Sequence, residues 1–205
     1  MKDLKQQIIG LVMSTIEFYD TNSQFFFDST VNADVSELYH PFIQHLPLGA
    51  RILDAGCGSG RDSKAFIEMG FKVTAIDASR ELAKAAAELI GQPVLVCRFD
   101  EIDKTEQFDG IWACASLLHV EANTLPATFL HLASTLVANG VFYCSFKYGD
   151  QERVHNGRFF ADANETLLLQ WIEHTGLSIK QTWITTDVRP GRENEKWLNA
   201  ILIKA

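Results

Sequence analysis

The sequence predicts an α/β fold built on a mostly parallel sheet. Three observations carry that expectation. From residue 50 onward, strand-like and helix-like segments alternate. A glycine turn, Gly56-x-Gly58-x-Gly60, joins the first of these strands to the helix that follows. The last two strand-like runs are separated only by the polar turn "DVRPGREN". Alternation implies crossover helices that cover both faces of a parallel sheet. Without a helix between them, the last two strands should pair antiparallel as a hairpin.

Residues 1–46 stand outside the alternation and read as two or three short helices, with the aromatic cluster "QFFFD" (24–28) between them. Leu4, Ile8, Leu11 and Val12 have the spacing of an amphipathic helix. We expect this segment to be a lid over the carboxyl end of the sheet, within a single domain 1–205 whose α/β core runs 47–205. "RILDA" (51–55) is a short apolar strand and "SKAFIEMG" (63–70) a helix that stops at glycine. "KVTAID" (72–77) is β-branched and apolar. "SRELAKAAAELIG" (79–91) begins at Ser79, a good N-cap, and ends at Gly91. "PVLVCRF" (93–99), "FDGIWACAS" (108–116) and "GVFYCSFK" (140–147) are further strands, with a helix at 123–138 between the last two. The polar stretch 147–160 reads as a long loop and 164–175 as a helix. "LSIKQTWITT" (177–186) and "KWLNAILIKA" (196–205) are the closing strands.

Composition narrows the classes. The chain has 205 residues, 47% of them hydrophobic, enough for one domain with a good core. A formal charge of −8 gives no general attraction for a phosphate backbone, so nucleic acid is not an expected partner. The apolar core "IIGLVM" near the start is too short to span a bilayer. We expect no membrane association and a cytoplasmic protein. Cys57, Cys97, Cys114 and Cys144 lack zinc-binding spacing and read as buried, reduced thiols, with no metal expected.

Ligands of such sheets bind beyond the carboxyl ends of the strands. The glycine turn lies there, and three guests are conceivable: a dinucleotide, a nucleoside triphosphate and a sulfonium nucleoside. The dinucleotide fingerprint G-x-G-x-x-G places its third glycine one residue later than Gly60, which disfavours a nicotinamide-dependent oxidoreductase. The triphosphate loop needs Lys and Ser or Thr where Arg61 and Asp62 stand. Asp54, Asp77 and Asp100 follow three strands and form an acidic row along one sheet edge. Such a row suits an ammonium, a ribose and an adenine and fits a pyrophosphate poorly. Asp77 sits where a carboxylate accepts the two ribose hydroxyls.

"ILDAGCGSGRD", "VTAIDAS" and "FDGIWACASLLHV" resemble the successive motifs of class I S-adenosylmethionine-dependent methyltransferases. The likeness runs from Leu48 to Ala205, and "GCGSGRDSKAF" is similar to small bacterial tellurite-resistance-type members. The resemblance implies a Rossmann-like, doubly wound, seven-stranded sheet of order 3-2-1-4-5-7-6 with strand 7 antiparallel. It implies S-adenosylmethionine as cofactor and S-adenosylhomocysteine as product. Gly56, Cys57, Gly58 and Gly60 would lie against the methionine part. Asp77 and Ala78 would hold the ribose, Phe99 and Asp100 the adenine, and Ala115 and Ser116 would lie near the amino group or the methyl. Tyr19 would touch the methionine carboxylate.

Methyl transfer from a sulfonium needs chiefly proximity and alignment. A base is required only for a protonated nucleophile, and His119, just after the fourth strand, is the candidate. Lys147, Tyr148, Arg153 and Arg158 in the 147–160 loop, with Arg189 and Arg192 in the last turn, would favour an anionic small-molecule acceptor if the two loops meet. A protein that binds the cofactor without catalysis would carry the same glycine turn and Asp77.

Overall fold

A computed structural model describes residues 14–105 and 107–205. The amphipathic spacing at Leu4–Val12 lies outside the described residues. The first elements among the described residues are helices α1 (Thr15–Thr21), α2 (Ser23–Thr30) and α3 (Tyr39–Ile43). Next come β1 (Arg51–Ala55), α4 (Arg61–Glu68), β2 (Lys72–Asp77), α5 (Arg80–Ile90), β3 (Leu95–Val96), β4 (Phe108–Ala113) and α6 (Leu125–Ser134). Then β5 (Leu136–Lys147), β6 (Glu152–His155), β7 (Arg158–Ala161), α7 (Glu165–Ile172), β8 (Leu177–Thr186) and β9 (Lys196–Lys204) complete it.

The seven-stranded sheet has the order β3-β2-β1-β4-β5-β9-β8. Strands β1 to β5 pair in parallel. β9 enters antiparallel to β5 and pairs antiparallel with β8. This is the expected doubly wound order, with β8 and β9 standing for strands 6 and 7. The period-two alternation of strands sorts the core onto two faces. Ile52, Trp112, Val141, Tyr143 and Ile201 pack with Tyr39, Phe42 and Phe66 on one side. Leu53, Ile111, Ala113 and Phe142 pack with Phe129 and Leu132 of α6 and Trp171 of α7 on the other. Register decides the contacts: Trp112 lies opposite Tyr143, and their rings stack 3.8 Å apart at 13°.

Local signals hold where side chains satisfy helix ends. Ser14 and Glu17 form a reciprocal capping box at the start of α1. Ser79 Oγ accepts from Leu82 N–H, and Gly91 ends α5 in the left-handed region.

The structure corrects four of the sequence expectations. "QFFFD" is not between helices; it lies inside α2, with Phe26 turned toward the glycine turn and Phe25 exposed. The third strand shrinks from 93–99 to Leu95–Val96, because it is the sheet edge and both residues face water. The helix between β4 and β5 is shorter than 123–138, and β5 starts at Leu136, whose partner is Phe108. The stretch 147–160 is no open loop: β6 and β7 form an antiparallel ribbon across it.

That ribbon turns at Asn156 (φ 50°) and Gly157 (φ 76°). Asn-Gly is the favoured pair for a two-residue hairpin turn, since both central residues need positive φ. A Cβ on Gly157 would also sit 2.9 Å from the Phe18 ring of α1. The ribbon is further tied to α1 by Phe159 N–H donating to Thr15 Oγ1 at 3.0 Å.

Candidate active site

The turn after β1 is held from the next strand. The amides of Gly56 and Cys57 both donate to the Ile76 carbonyl, at 3.0 and 2.9 Å. Asp77, at the end of β2, accepts from Gly58 N–H through Oδ2 and from Ser79 N–H through Oδ1, both at 2.8 Å. Each oxygen keeps a lone pair for a ligand hydroxyl. Burial raises the Asp77 carboxyl to about 6. Gly56 has φ 82°, and a Cβ there would meet Ser116 Cβ at 2.5 Å, so only glycine lets the β1 and β4 turns approach this closely. Ser116 Oγ closes the contact by donating to the Ala55 carbonyl at 2.6 Å.

Beneath the turn lies a charged cluster. Asp62, in the first turn of α4, accepts two bonds from Arg61 at 2.7 and 3.0 Å. Tyr39 Oη and Trp112 Nε1 each donate to it at 2.8 Å. Burial pushes its carboxyl up, but Arg61, Trp112 and Tyr39 outweigh burial and hold it below the ordinary value. Arg61 meanwhile borders the cavity described next.

A cavity of about 1350 Å³ opens beside the glycine turn. Gly56, Cys57, Gly58, Arg61, Ala115 and His119 line one side. The β6–β7 ribbon and the β8–β9 turn line the other, so the two basic segments do meet. Tyr19 and Phe26 reach in from the N-terminal helices.

The acidic row divides into three environments. Asp77 stands at the strand end as described. Asp54 is buried (2% exposed) below the turn and is bonded to Ser63 Oγ at 2.6 Å, away from the cavity. Burial and then the charge of Asp62 raise its carboxyl to about 8. Asp100 is exposed beside Arg98, 3.4 Å away. The Phe99 ring reaches to 3.5 Å from the Cβ position of Gly56, and Ala78 is half-buried at the start of the turn after β2. Ser79 Oγ, besides capping α5, donates to Asp20 of α1 at 2.6 Å.

Tyr19 and His119 are bonded to each other. Tyr19 Oη lies 2.8 Å from His119 Nε2, and His119 Nδ1 lies 2.7 Å from the Phe159 carbonyl. A carbonyl only accepts, so Nδ1 carries the proton and Nε2 accepts from Tyr19. Burial lowers the imidazole to about 4 and raises the phenol, so both are neutral near pH 7. Spacing alone did not reveal this pair, because its members are 100 residues apart. The ribbon that supports His119 did have a sequence signal, Asn156-Gly157. His155 lines the cavity and is exposed.

At the far side, Lys147 at the end of β5 is buried. It donates to Asp187 at 3.0 Å and pairs with Glu195. Arg189 also binds Asp187, at 2.6 Å. No group of three or more metal-binding side chains is positioned for an ion among the described residues. No helix among them is long and apolar enough to cross a membrane.

A Rossmann-like sheet with an antiparallel β9, a glycine turn tied to a carboxylate on β2 and an adjoining cavity define the class I methyltransferase architecture. Residues 52–140 match the family model described as a methyltransferase domain. YqeM of Bacillus subtilis, which bears a methyltransferase name, is 32% identical over 142 residues, covering 64% of this chain and 56% of that protein. The match thus spans little more than half of that relative. Among solved structures, the fold resembles Burkholderia thailandensis 1,6-didemethyltoxoflavin-N1-methyltransferase with its substrate and S-adenosylhomocysteine bound (TM-score 0.71, 23% identity, 91% of this chain and 84% of that one). It also resembles a TehB-like S-adenosylmethionine-dependent methyltransferase from Corynebacterium glutamicum (TM-score 0.68, 20% identity, 93% of this chain and 98% of that one).

Proposed function

We propose that this chain transfers a methyl group from S-adenosylmethionine to a small-molecule acceptor and releases S-adenosylhomocysteine. The observation that carries the reading is the Gly58–Asp77 link at 2.8 Å, which holds a carboxylate against the glycine turn that lines the cavity. Bound there, S-adenosylmethionine would supply a methyl already activated on a sulfonium. The chain's task is then to hold and align. Gly56, Cys57, Gly58 and Gly60 let the backbone approach. Asp77, next to Ala78, accepts the ribose hydroxyls. Phe99 and Asp100 border the adenine, and Ala115 and Ser116 the amino-acid end. Arg61 uses Nε and Nη2 on Asp62, which leaves Nη1 for a ligand carboxylate. Asp54 supports the turn from below and does not touch the ligand.

The N-terminal helices act as a lid, hinged where Asp20 meets Ser79. When Tyr19 swings toward the cofactor, it uncovers His119 Nε2, which can then accept a proton. An imidazole with so low a pKa is a weak base, so it suits acceptors that are acidic or already unprotonated. The basic segments at the mouth favour an anionic acceptor. The free cysteines fit a cytoplasmic setting.

Thermal unfolding tests the reading. S-adenosylmethionine and S-adenosylhomocysteine should raise the midpoint, and NAD should not. A rise with NAD alone would refute it. Asp77→Ala should weaken S-adenosylhomocysteine binding by about 1–3 kcal/mol in calorimetry, the loss expected for a charged acceptor.

A further inference from the structure

The cations of the cavity wall can be sorted by what neutralises them. Arg61 is held by Asp62, Lys147 by Asp187 and Glu195, and Arg153 by Asp162. Arg189 is held by Asp187, and Arg192 lies 3.8 Å from Glu195. Lys196 is exposed. Arg158 is different: among the described residues, no carboxylate pairs with it. It is half-buried on β7, packed against the rings of Phe18 at 5.1 Å, Phe160 at 5.2 Å and Tyr19 at 5.9 Å. Its Nε is buried without a hydrogen-bond partner. Its polar contact is a long one, Nη1 to Tyr19 Oη at 3.5 Å.

Aromatic faces attract a guanidinium but cannot take up its N–H donors, and buried donors are seldom left unanswered. Arg158 is also held firmly in place. The Asn156-Gly157 turn sets its position on the ribbon, Gly157 abuts Phe18, and the neighbouring Phe159 amide is bonded to Thr15. The neighbouring Tyr19 hydroxyl is the one bonded to His119, so Arg158 lies on the side of the cavity where an acceptor would stand. A fixed, unpaired guanidinium flanked by rings matches a flat group with two coplanar oxygens.

We infer that Arg158 binds the methyl acceptor through a negatively charged oxygen group of that acceptor. The inference rests on the methyltransferase reading and names the substrate class: an oxyanion, carried on an organic molecule or inorganic. Five of the six other cations named above are already spent on carboxylates of the chain. Replacing them changes the fold's internal pairing, whereas replacing Arg158 removes a binding group.

The test uses the full chain saturated with S-adenosylhomocysteine. Benzoate, its neutral analogue benzamide, and selenite are titrated by calorimetry against wild type, Arg158→Met and Arg158→Lys. Benzoate or selenite should bind wild type at least tenfold more tightly than benzamide. Arg158→Met should lose at least tenfold of that affinity, and Arg158→Lys should fall between, while S-adenosylhomocysteine affinity reports that both variants are folded. Binding of benzoate alone assigns an organic oxyanion; binding of selenite alone assigns an inorganic one. If neither anion shows affinity that depends on Arg158, the inference is overturned although the cofactor still binds. If S-adenosylhomocysteine itself does not bind, it is the methyltransferase reading that fails.

Discussion

On the side of the cavity built by β1, β2 and β4, each buried carboxylate is answered by a group close at hand. Asp77 has the amides of Gly58 and Ser79, Asp54 has Ser63, and Asp62 has Arg61, Tyr39 and Trp112. On the side built by α1, the β6–β7 ribbon and the β8–β9 turn, Arg158 reaches the cavity with rings around it and, among the described residues, no carboxylate paired to it. The first side is complete before any ligand arrives, as suits a ligand that is the same in every turnover. The second keeps one charge for something that comes from outside. The difference separates a scaffold from a recognition surface, and substitutions on the two sides should therefore behave differently.

The largest effect should come from the first side. Asp62→Ala leaves Arg61 without its counter-charge in a mostly buried place, where its side chain is 20% exposed. Breaking such a pair costs about 3–5 kcal/mol, and urea unfolding should show a loss of that size for the whole domain. A loss within error would mean that Arg61 turns out to water and that the first side is not a rigid scaffold.

Gly157→Ala probes the second side. It forces an L-residue to keep φ 76° and presses a methyl against Phe18. Left-handed strain alone costs roughly 1–2 kcal/mol. The expected outcome is a modest fall in stability, with S-adenosylhomocysteine affinity kept and Arg158-dependent anion binding reduced. Equal losses of cofactor and anion binding would show that the two sides are not independent.

The smallest effect concerns pH. Asp77 is raised in the folded chain to about 6 by burial. The folded state thus holds a proton that the unfolded state has released. This contribution to stability is complete below the unfolded carboxylate value and is lost as pH rises through about 6. The ionised form is the better acceptor for ribose hydroxyls, so cofactor affinity should run the other way. S-adenosylhomocysteine should bind several-fold more tightly at pH 7.5 than at pH 5 in calorimetry. Asp77→Asn should flatten that rise; a rise of the same size in the variant would reassign it to another group.

Much of the first side was legible because its signals are local. Ser79 and Gly91 bracket α5, the three glycines crowd one turn, and Asp77 closes a strand. Asp54 and Asp77 looked alike on the page, each an acid ending a strand. Burial separates them, one under the turn and one beside it. The ribbon was missed: Asn156-Gly157 is a hairpin signal, but the polar composition around that pair masked the alternation of a strand, and 147–160 was read as a loop. Asp62 was read as standing where a triphosphate loop needs Ser or Thr. Its partners Tyr39 and Trp112 come from 23 residues before and 50 after, a distance that no spacing rule covers.

By itself, the sequence determined the strand–helix alternation, the antiparallel end of the sheet and the glycine turn with its strand-end carboxylate. Those follow from side-chain periodicity and from backbone angles only glycine takes up readily, which act over a few residues. Only the tertiary structure decided that Tyr19 covers His119, that five cations spend their charge on nearby carboxylates, and that Arg158 keeps its own. Pairing and desolvation depend on which groups the fold brings within a few ångströms, and a linear sequence does not carry that distance.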